Sequence, residues 1–449
     1  MVLITIESLR ADHVGCYGYS KPTTPALDAF AETATRFDRN FTVTSWTLSS
    51  HASMFTGLYP SAHQVVLPRD RLADSYETIA EHLREGGYQT AGFISGIYLR
   101  RPYRLDQGFE HYDDSACNPA DEIDKEPTSP RMQSALRRFF ELHRDPSRPL
   151  FLFAYYWDVH YGYFPPVPYD KMFRSEGDQP IDLSRYDRNP AIRPDLPEPA
   201  LDYLQSQYDG EIRYTDEHLA MLFALLREQG IWDNAAIFVT ADHGEEFFEH
   251  GAKGHKNNLY EESLHVPLLL KAPLLEQGVT DSRIVSAVDF FPTILHLVGE
   301  DPRPSLPGRS LLLSPEDKSR TVMHELITTW YFHSPNRQTG VRRSQIWTAL
   351  RRGTDKLISV LEPGGDRRFE LFDLSTDPDE TRPLGGAAGT RLAELQVELK
   401  QLVRRNRRLA AEHSTVAPAV LQPEEEALLK SMGYLGNEEA PPEEDSDRR

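Results

Sequence analysis

Residues 236–246 read Ala-Ile-Phe-Val-Thr-Ala-Asp-His-Gly-Glu-Glu, a short apolar run that ends in a carboxylate and an imidazole. Such a run is typical of a buried strand in an α/β protein. In open α/β sheets, ligands bind outside the carboxyl ends of the strands. Asp242 and His243 are therefore expected at the sheet edge where a ligand would bind.

Similar apolar runs recur along the chain and alternate with helical patterns. A helix with an apolar stripe from Leu219 to Leu226 comes directly before the strand described above. This alternation predicts an α/β sandwich with a mostly parallel central sheet flanked by helices. The other predicted buried strands are Val2–Ile6, Leu150–Tyr155 and Val266–Leu270.

The pattern changes after about Pro307, where short strand-like runs follow one another as in an antiparallel sheet. A charged helix is predicted from Thr390 to Ala411. We therefore predict one large domain over residues 1–310, a smaller C-terminal α+β subdomain with an antiparallel sheet over 311–436, and a disordered acidic tail over 437–449.

Composition narrows the classes of function. The chain has 449 residues, of which 39% are hydrophobic, as in an ordinary soluble globular protein. A net charge of −20 argues against nucleic-acid binding, which needs clustered Lys and Arg. No apolar run approaches membrane-spanning length. Because a strand opens the sequence, we expect a cytoplasmic protein as written, or a periplasmic or extracellular one if an upstream signal or anchor segment is missing.

Carboxylate and imidazole ligands at a strand end suit a divalent metal ion such as Mn²⁺, Zn²⁺, Mg²⁺ or Ca²⁺. Glu7 directly follows the first predicted strand, as Asp242 follows a later one. The alternatives are that Asp242 caps a helix, that His243 is an ordinary surface residue and that Glu7 is a solvated loop carboxylate. Should Glu7 lie far from Asp242, Asp12 is the reserve candidate.

Thr47 begins a segment that turns from a loop into a helix packed by Ala52, Met54 and Phe55. A hydroxyl at a helix N-terminus meets backbone N–H groups and the positive end of the helix dipole, which is a favourable place for a tetrahedral anion. The alternative is that Thr47 only caps the helix.

The order of these segments resembles the sulfatase family of the alkaline phosphatase superfamily, over nearly the whole chain. The most specific matches are Thr240-Ala-Asp-His-Gly244 and Gly254-His-Lys-Asn-Asn-Leu-Tyr260. Trp157-Asp-Val-His160 resembles the family's Asp-x-His segment. The further matching segments are residues 2–19, 22–25, 53–60, 208–216, 261–267, 288–293, 306–311, 371–380 and 431–436.

The sequence departs from that family at the nucleophile. Sulfatases carry a Cys or Ser that is oxidised to formylglycine, in a Cys/Ser-x-Pro-x-Arg motif. Here the matching stretch reads Thr47-Leu-Ser-Ser-His51, and a threonine cannot give the same aldehyde because its β-carbon already bears a methyl group. Glu7 and Ser8 stand where the family has paired aspartates.

The set Glu, Thr, Asp and His looks like that of the lipoteichoic acid synthases and lipid A phosphoethanolamine transferases. This resemblance implies that Glu7, Thr47, Asp242 and His243 bind the metal and that Thr47 is also the nucleophile. It leaves four residues as candidates to bind the non-bridging oxygens or protonate the leaving group, namely His51, His160, His255 and Lys256.

Three functions remain open from the sequence. The first is a hydrolase or transferase of phosphate esters that works through a covalent Thr47 intermediate. The second is a sulfatase that acts without formylglycine, and the third is a non-catalytic binding protein on the same scaffold. The expected partner is a small-molecule, lipid-linked or glycan-linked phosphate or sulfate ester, and the oligomeric state stays open.

Overall fold

The computed structural model describes residues 1–117, 127–313, 320–332, 341–385, 388–413, 415–432 and 434–435. The predicted acidic tail lies outside these residues. The strands are β1 Val2–Ile6, β2 Thr35–Phe41, β3 Gln89–Ile94, β4 His111–Asp113, β5 Leu150–Tyr156, β6 Ile237–Ala241, β7 Glu246–Phe247, β8 Lys253–Gly254, β9 Leu268–Lys271, β10 Val279–Ser286, β11 Thr321–Phe332, β12 Val341–Arg352, β13 Asp355–Leu361 and β14 Arg367–Asp373. The helices are α1 Pro25–Ala31, α2 Thr47–Thr56, α3 Pro60–His63, α4 Ile79–Glu85, α5 Ser129–Leu142, α6 Tyr169–Met172, α7 Glu198–Glu228, α8 Glu261–Leu264, α9 Phe290–Leu297, α10 Gly389–Ala411 and α11 Pro423–Ser431.

The central sheet has eight strands in the order β10-β2-β9-β6-β1-β5-β3-β4. Neighbouring strands pair in parallel except at β9, which runs antiparallel to both β6 and β2. The predicted α/β fold with a mostly parallel central sheet is confirmed. The direction of β9 could not be predicted from the sequence, because a buried strand has the same apolar pattern in either direction.

Helices cover both faces of the central sheet because neighbouring side chains of a strand point to opposite faces. Leu3 joins a buried cluster that includes residues of α2, α4 and α9. Ile4 joins the other cluster, together with residues of α5 and α7. The predicted apolar stripe of α7, from Leu219 to Leu226, lies in this second cluster.

The four C-terminal strands form an antiparallel sheet in the order β11-β12-β13-β14, as predicted. Leu350 of this sheet and Leu395 of α10 belong to the same buried cluster as Leu3 of the central sheet. The amide of Glu325 also donates to the carbonyl oxygen of Val43 at 2.8 Å. The smaller sheet therefore packs against the larger part of the chain, and the boundary at residue 310 stays a prediction.

Helix α4 begins at Ile79, because Thr78 and Glu81 form a capping box. Oγ1 of Thr78 accepts from the amide of Glu81 at 3.1 Å, and the Glu81 carboxylate accepts from the amide of Thr78 at 3.0 Å.

Among the described residues, no helix is long and apolar enough to cross a membrane.

Candidate active site

Two neighbouring strands bring the first pair of site residues together. β1 and β6 pair in parallel with Ile6 opposite Ala241, so the next residues, Glu7 and Asp242, leave the sheet side by side. The amide of Ser8 donates to Oδ1 of Asp242 at 3.1 Å. Ser8 has a φ of 52°, a left-handed conformation that is uncommon for a non-glycine residue and is often found at functional sites. Both carboxylates are fully buried.

His243 points its Nε2 atom at both carboxylates. Nδ1 donates to the carbonyl oxygen of Gly244 at 2.9 Å, so the lone pair of the neutral ring is on Nε2. Nε2 lies 3.1 Å from Oε1 of Glu7 and 3.5 Å from Oδ2 of Asp242. A Cβ at position 244 would lie 1.9 Å from the carbonyl oxygen of Glu262, which explains why glycine follows the histidine.

The Thr47 hydroxyl lies against the same three side chains. Helix α2 begins at Thr47, so the unpaired N–H groups of its first turn belong to the site. Oγ1 of Thr47 lies 3.3 Å and 3.4 Å from the two carboxylate oxygens of Glu7, and 3.2 Å from Nε2 of His243. The Tyr155 hydroxyl also donates to Glu7. The structure thus brings Glu7, Thr47, Asp242 and His243 to one point.

His51 lies behind Thr47, one turn further along α2. Its Nδ1 donates to the carbonyl oxygen of Thr47 at 2.9 Å, and its Nε2 lies 2.9 Å from Oγ1 of Thr5. The ring is fully buried, and both nitrogen atoms are engaged within the protein. The sequence predicted that His51 could contact the ester. Its contacts with Thr47 and Thr5 instead indicate that it holds the start of α2 against β1.

Two further histidines meet at a tyrosine from the C-terminal end of the chain. Nδ1 of His255 lies 3.4 Å from Oγ of Ser8 and 3.3 Å from Oε2 of Glu245. Nε2 of His255 lies 2.7 Å from the Tyr434 hydroxyl, and Nε2 of His160 lies 3.1 Å from the same hydroxyl. His160 and His255, both sequence candidates, therefore lie beside the group formed by Glu7 and its neighbours.

Tyr434 is a site residue that the sequence did not predict. Residues 431–436 are among the segments that resemble the sulfatase family, but that resemblance gives no role to the tyrosine. Tyr434 follows His255 by 179 residues, and no local pattern signals a contact over that separation. Its ring also meets the edge of Tyr98, with the centroids 5.1 Å apart. The likeness of residues 431–436 to the family was the one hint that this segment matters. Only the structure shows that the segment lies beside His255.

Lys256 lies at the start of helix α2. Its amide donates to the carbonyl oxygen of Ser45 at 2.9 Å, and its φ is 64°. Nζ lies 4.0 Å from the ring centroid of Trp46 and 5.2 Å from that of Tyr434. The structure thus places this cation between the residue that precedes Thr47 and the tyrosine that contacts His255.

The donor set fits a divalent metal ion. Among the described residues, ligand atoms of Glu7, His243 and His255 lie within 4.8 Å of one another. Oδ2 of Asp242 is buried and lacks a hydrogen-bond partner among the described residues, as expected of a metal ligand. Oxygen and imidazole ligands suit the metals that the sequence suggested. His255 adds a ligand to the predicted set, whereas Asp12, the reserve for Glu7, is exposed and pairs with Arg10.

The charges at this centre depend on one another. Burial, with the charge of Glu7, raises the pKa of Asp242 well above its usual range. Burial acts to lower the pKa of His243, but the charges of Asp242 and Glu7 outweigh it and raise that pKa to about 10. Burial lowers the pKa of His255 well below its usual range and that of His160 to about 3. His160 and His255 are therefore neutral at pH 7, with a lone pair for a cation or a proton.

Two family models match the chain. The sulfatase model matches residues 1–300, which include Glu7, Thr47, Asp242 and His243. The chain belongs to the sulfatase family. The model of the N-sulphoglucosamine sulphohydrolase C-terminal region matches residues 249–408. Because the two matches overlap, they do not define a domain boundary.

The proteins similar to this sulfatase-family chain include a sulfatase by sequence and a phosphonate monoester hydrolase by structure. Arylsulfatase K of Bos taurus is 29% identical over 229 residues, which are 49% of this chain and 39% of that protein. This chain therefore spans about two fifths of that relative's length. The phosphonate monoester hydrolase of Agrobacterium radiobacter has a similar structure, with a TM-score of 0.71, 20% identity and coverage of 94% of this chain and 99% of that one.

A second similar structure contains a sulfated sugar. It is a protein in complex with its substrate D-glucosamine-2-N,6-O-disulfate, with a TM-score of 0.69, 20% identity and coverage of 92% of this chain and 98% of that one. At this identity the two structural likenesses show the fold alone. They confirm the predicted alkaline-phosphatase-like sandwich with its smaller antiparallel sheet.

Proposed function

We propose that this sulfatase-family protein is a metal-dependent ester hydrolase in which the Thr47 hydroxyl takes the place of formylglycine. The observation that carries the proposal is the position of Oγ1 of Thr47, 3.2 Å from Nε2 of His243 and 3.3 Å from the Glu7 carboxylate. A threonine used only as a helix cap would not need buried carboxylate and imidazole neighbours. The presence of these groups also argues against a non-catalytic binding protein.

Glu7, Asp242, His243 and the Thr47 hydroxyl would hold the metal ion, with His255 close enough to join them. When bound, a divalent cation would lower the pKa of the hydroxyl and neutralise charge on the ester oxygens. The chain itself supplies the first turn of α2, whose N–H groups favour an anion beside Thr47. Lys256 adds a positive charge near the same helix start.

In the proposed reaction, the bond from Thr47 Oγ1 to the central sulfur or phosphorus atom forms as the ester bond to the alcohol breaks. The proton that Thr47 loses ends on the leaving alcohol. We assign this relay to His160 and Tyr434, whose Nε2 and hydroxyl oxygen lie 3.1 Å apart. Water then attacks the same central atom, which breaks its bond to Thr47 and returns a proton to Oγ1. The product is the inorganic anion, or a phosphate monoester when the substrate is a phosphodiester.

A sulfuric ester is the proposed substrate class. It is supported by the sulfatase family model and by Arylsulfatase K among the relatives. The second candidate is a phosphoric ester, either hydrolysed or transferred to another alcohol. That candidate is favoured by Thr47 itself, because the likeness to the lipoteichoic acid synthases and phosphoethanolamine transferases rests on this residue. In both cases the alcohol part is a small molecule, a glycan or a lipid.

The two candidates differ in a direct assay. The chelator-treated protein is supplied with Mn²⁺, Zn²⁺, Ca²⁺ or Mg²⁺ and given 4-nitrophenyl sulfate, 4-nitrophenyl phosphate and bis(4-nitrophenyl) phosphate in parallel. We expect the sulfate ester to be hydrolysed fastest, and Thr47→Ala to be inactive. Turnover of a phosphate ester alone would establish the second candidate instead. No turnover of any of the three with any metal would contradict the hydrolase proposal.

A further inference from the structure

A cavity of about 590 Å³ lies beside helix α2, between that helix and the C-terminal subdomain. Trp46, directly before Thr47, and Ser49, two residues after it, form part of the cavity wall. Ser61 of α3, Trp347 of β12 and Leu399 of α10 form other parts. Its volume is in the range of small-molecule sites, roughly 300–1,000 Å³. None of the candidate metal ligands lines this cavity, so the cavity is separate from the candidate metal site.

The C-terminal subdomain gives this cavity an apolar wall. Leu326, Trp347 and Leu399 line it and are buried. Ile346 and Phe369 also line it and are 39% and 37% exposed, respectively. Partly exposed apolar side chains around a concave surface are typical of a site that takes an apolar body.

Two buried polar groups at the start of α2 line the cavity without a partner among the described residues. Trp46 and Ser49 are 1% and 2% exposed, and neither Nε1 of Trp46 nor Oγ of Ser49 has a hydrogen-bond partner among the described residues. The indole N–H can only donate, and the serine hydroxyl can also donate. Buried donors of this kind are usually paired, so they favour a ligand with acceptor oxygens.

Charge at the cavity favours an anion. Lys400, Arg404 and Arg407 line it from α10, at spacings that place them on one face of the helix. Arg367 of β14 lines it as well. Among the described residues of the lining, the one carboxylate is that of Glu325, which accepts from the amide of Ser61 at 2.8 Å. Four cations against one carboxylate in this described part of the lining are a local excess of positive charge in a chain whose net charge is −20.

We propose that this cavity is a second ligand site, which binds a small organic anion with an apolar body. The anionic group lies toward Arg404 and Arg407 and accepts from Trp46 and Ser49, while the body packs on Trp347 and Leu399. The site stands apart from the ester chemistry at Thr47, so it does not depend on which ester the protein hydrolyses.

The test is isothermal titration calorimetry of the full-length metal-loaded protein with octanoate, compared with octan-1-ol, which has the same chain without the charge. We expect octanoate to bind with one site per chain and more tightly than octan-1-ol. Arg404→Glu should weaken octanoate binding roughly tenfold or more, because a like charge replaces an attractive one. Arg408→Glu is the matched control, since Arg408 is exposed on the same helix but does not line the cavity.

Trp46→Phe gives a second variant, because it keeps an aromatic ring and removes only the indole donor. We expect it to lower octanoate affinity roughly 2- to 10-fold, as for one lost hydrogen bond. The proposal is overturned by no saturable octanoate binding, by octan-1-ol that binds as tightly as octanoate, or by unchanged affinity in either Arg404→Glu or Trp46→Phe. Binding is measured without turnover, so failure here leaves the ester hydrolase proposal untouched.

Discussion

The Tyr434 hydroxyl lies 2.7 Å from Nε2 of His255, so the C-terminal end of the chain takes part in the candidate active site. The same hydroxyl lies 3.1 Å from Nε2 of His160. The hydroxyl of Tyr161 donates to the carbonyl oxygen of Met432 at 3.3 Å, which fixes the adjoining backbone. Tyr434 therefore sets the orientation of both histidines from a position outside the sulfatase model, which ends at residue 300.

Tyr434→Phe should lower kcat while it leaves the fold intact, because it removes the hydroxyl and keeps the ring against Tyr98. We expect a loss of roughly 10- to 100-fold, as for other groups that orient a ligand or proton donor. The measurement is kcat and KM for the best aryl ester, together with the melting temperature. Tyr98→Phe is the control, since its hydroxyl is buried without a partner among the described residues. Equal kcat in wild type and Tyr434→Phe would exclude the relay.

Asp242→Asn should weaken metal binding more than the roughly 10- to 100-fold typical of outer-shell changes, because a neutral amide replaces the charged carboxylate of a proposed direct ligand. The measurement is metal content by elemental analysis after dialysis against a metal buffer. Asp12→Asn is the matched control: Asp12 was the reserve ligand, but its carboxylate is exposed and pairs with Arg10. Metal loss in Asp12→Asn, with normal loading of Asp242→Asn, would show that the ligand set is wrong.

His63 should make the protein sensitive to acid. Its Nδ1 accepts from the amide of Val65 at 3.1 Å, and Nε2 lies 2.8 Å from Oγ of Ser53. Burial lowers the pKa of His63 from 6.5 to about 3, since a proton on Nδ1 would be buried and would remove that acceptor. Between these values the unfolded chain binds a proton that the folded chain does not. The neutral His63 therefore makes its full contribution to the free energy of unfolding above pH 6.5, and this contribution is lost as the pH falls toward 3.

The check for His63 is urea unfolding of wild type and His63→Gln at a series of pH values. Glutamine keeps a donor and an acceptor but does not titrate. We expect the free energy of unfolding of the wild type to fall more steeply between about pH 6.5 and pH 4.5 than that of the variant. Parallel curves in this range would mean that His63 is protonated in the folded protein.

Thr47→Ala should leave the melting temperature nearly unchanged, because the N-cap residue of α2 is Trp46 and the Thr47 hydroxyl faces the side chains of Glu7 and His243 instead of a backbone amide. Hydrolysis should fall by roughly a thousandfold or more, because the attacking oxygen is gone. Thr47→Ser should keep part of the activity, since it retains the hydroxyl. The measurement is single-turnover hydrolysis of the best aryl ester. Activity in Thr47→Ala equal to that of wild type would exclude a covalent step and leave direct attack by water.

The sequence alone could predict the strand-end part of the site. Glu7 and Asp242 each follow a short apolar run, and parallel strands end at the same sheet edge, so local pattern is enough to bring them together. The predicted central sheet and the predicted smaller antiparallel sheet rest on the same kind of local evidence.

Other parts of the site depend on contacts that no local pattern encodes. His51 stands at the position of the family's arginine, but its ring nitrogens are taken up by Thr47 and Thr5, which only the packing of α2 on β1 reveals. His255 was predicted to bind the non-bridging oxygens of the ester or to protonate the leaving group, yet its ring lies within metal-ligand distance of Glu7 and His243.

The central claim is that Thr47 carries the ester's acid group during turnover. The most direct measurement is mass spectrometry of the peptide that contains residue 47, after rapid acid quenching of the metal-loaded protein during hydrolysis of 4-nitrophenyl sulfate and, separately, of bis(4-nitrophenyl) phosphate. We predict a sulfated Thr47 with the first substrate, or a Thr47 that carries a 4-nitrophenyl phosphate group with the second, which appears with the first turnover and is lost when the substrate is consumed. Steady turnover with an unmodified Thr47 peptide, and Thr47→Ala that works as fast as wild type, would contradict the account.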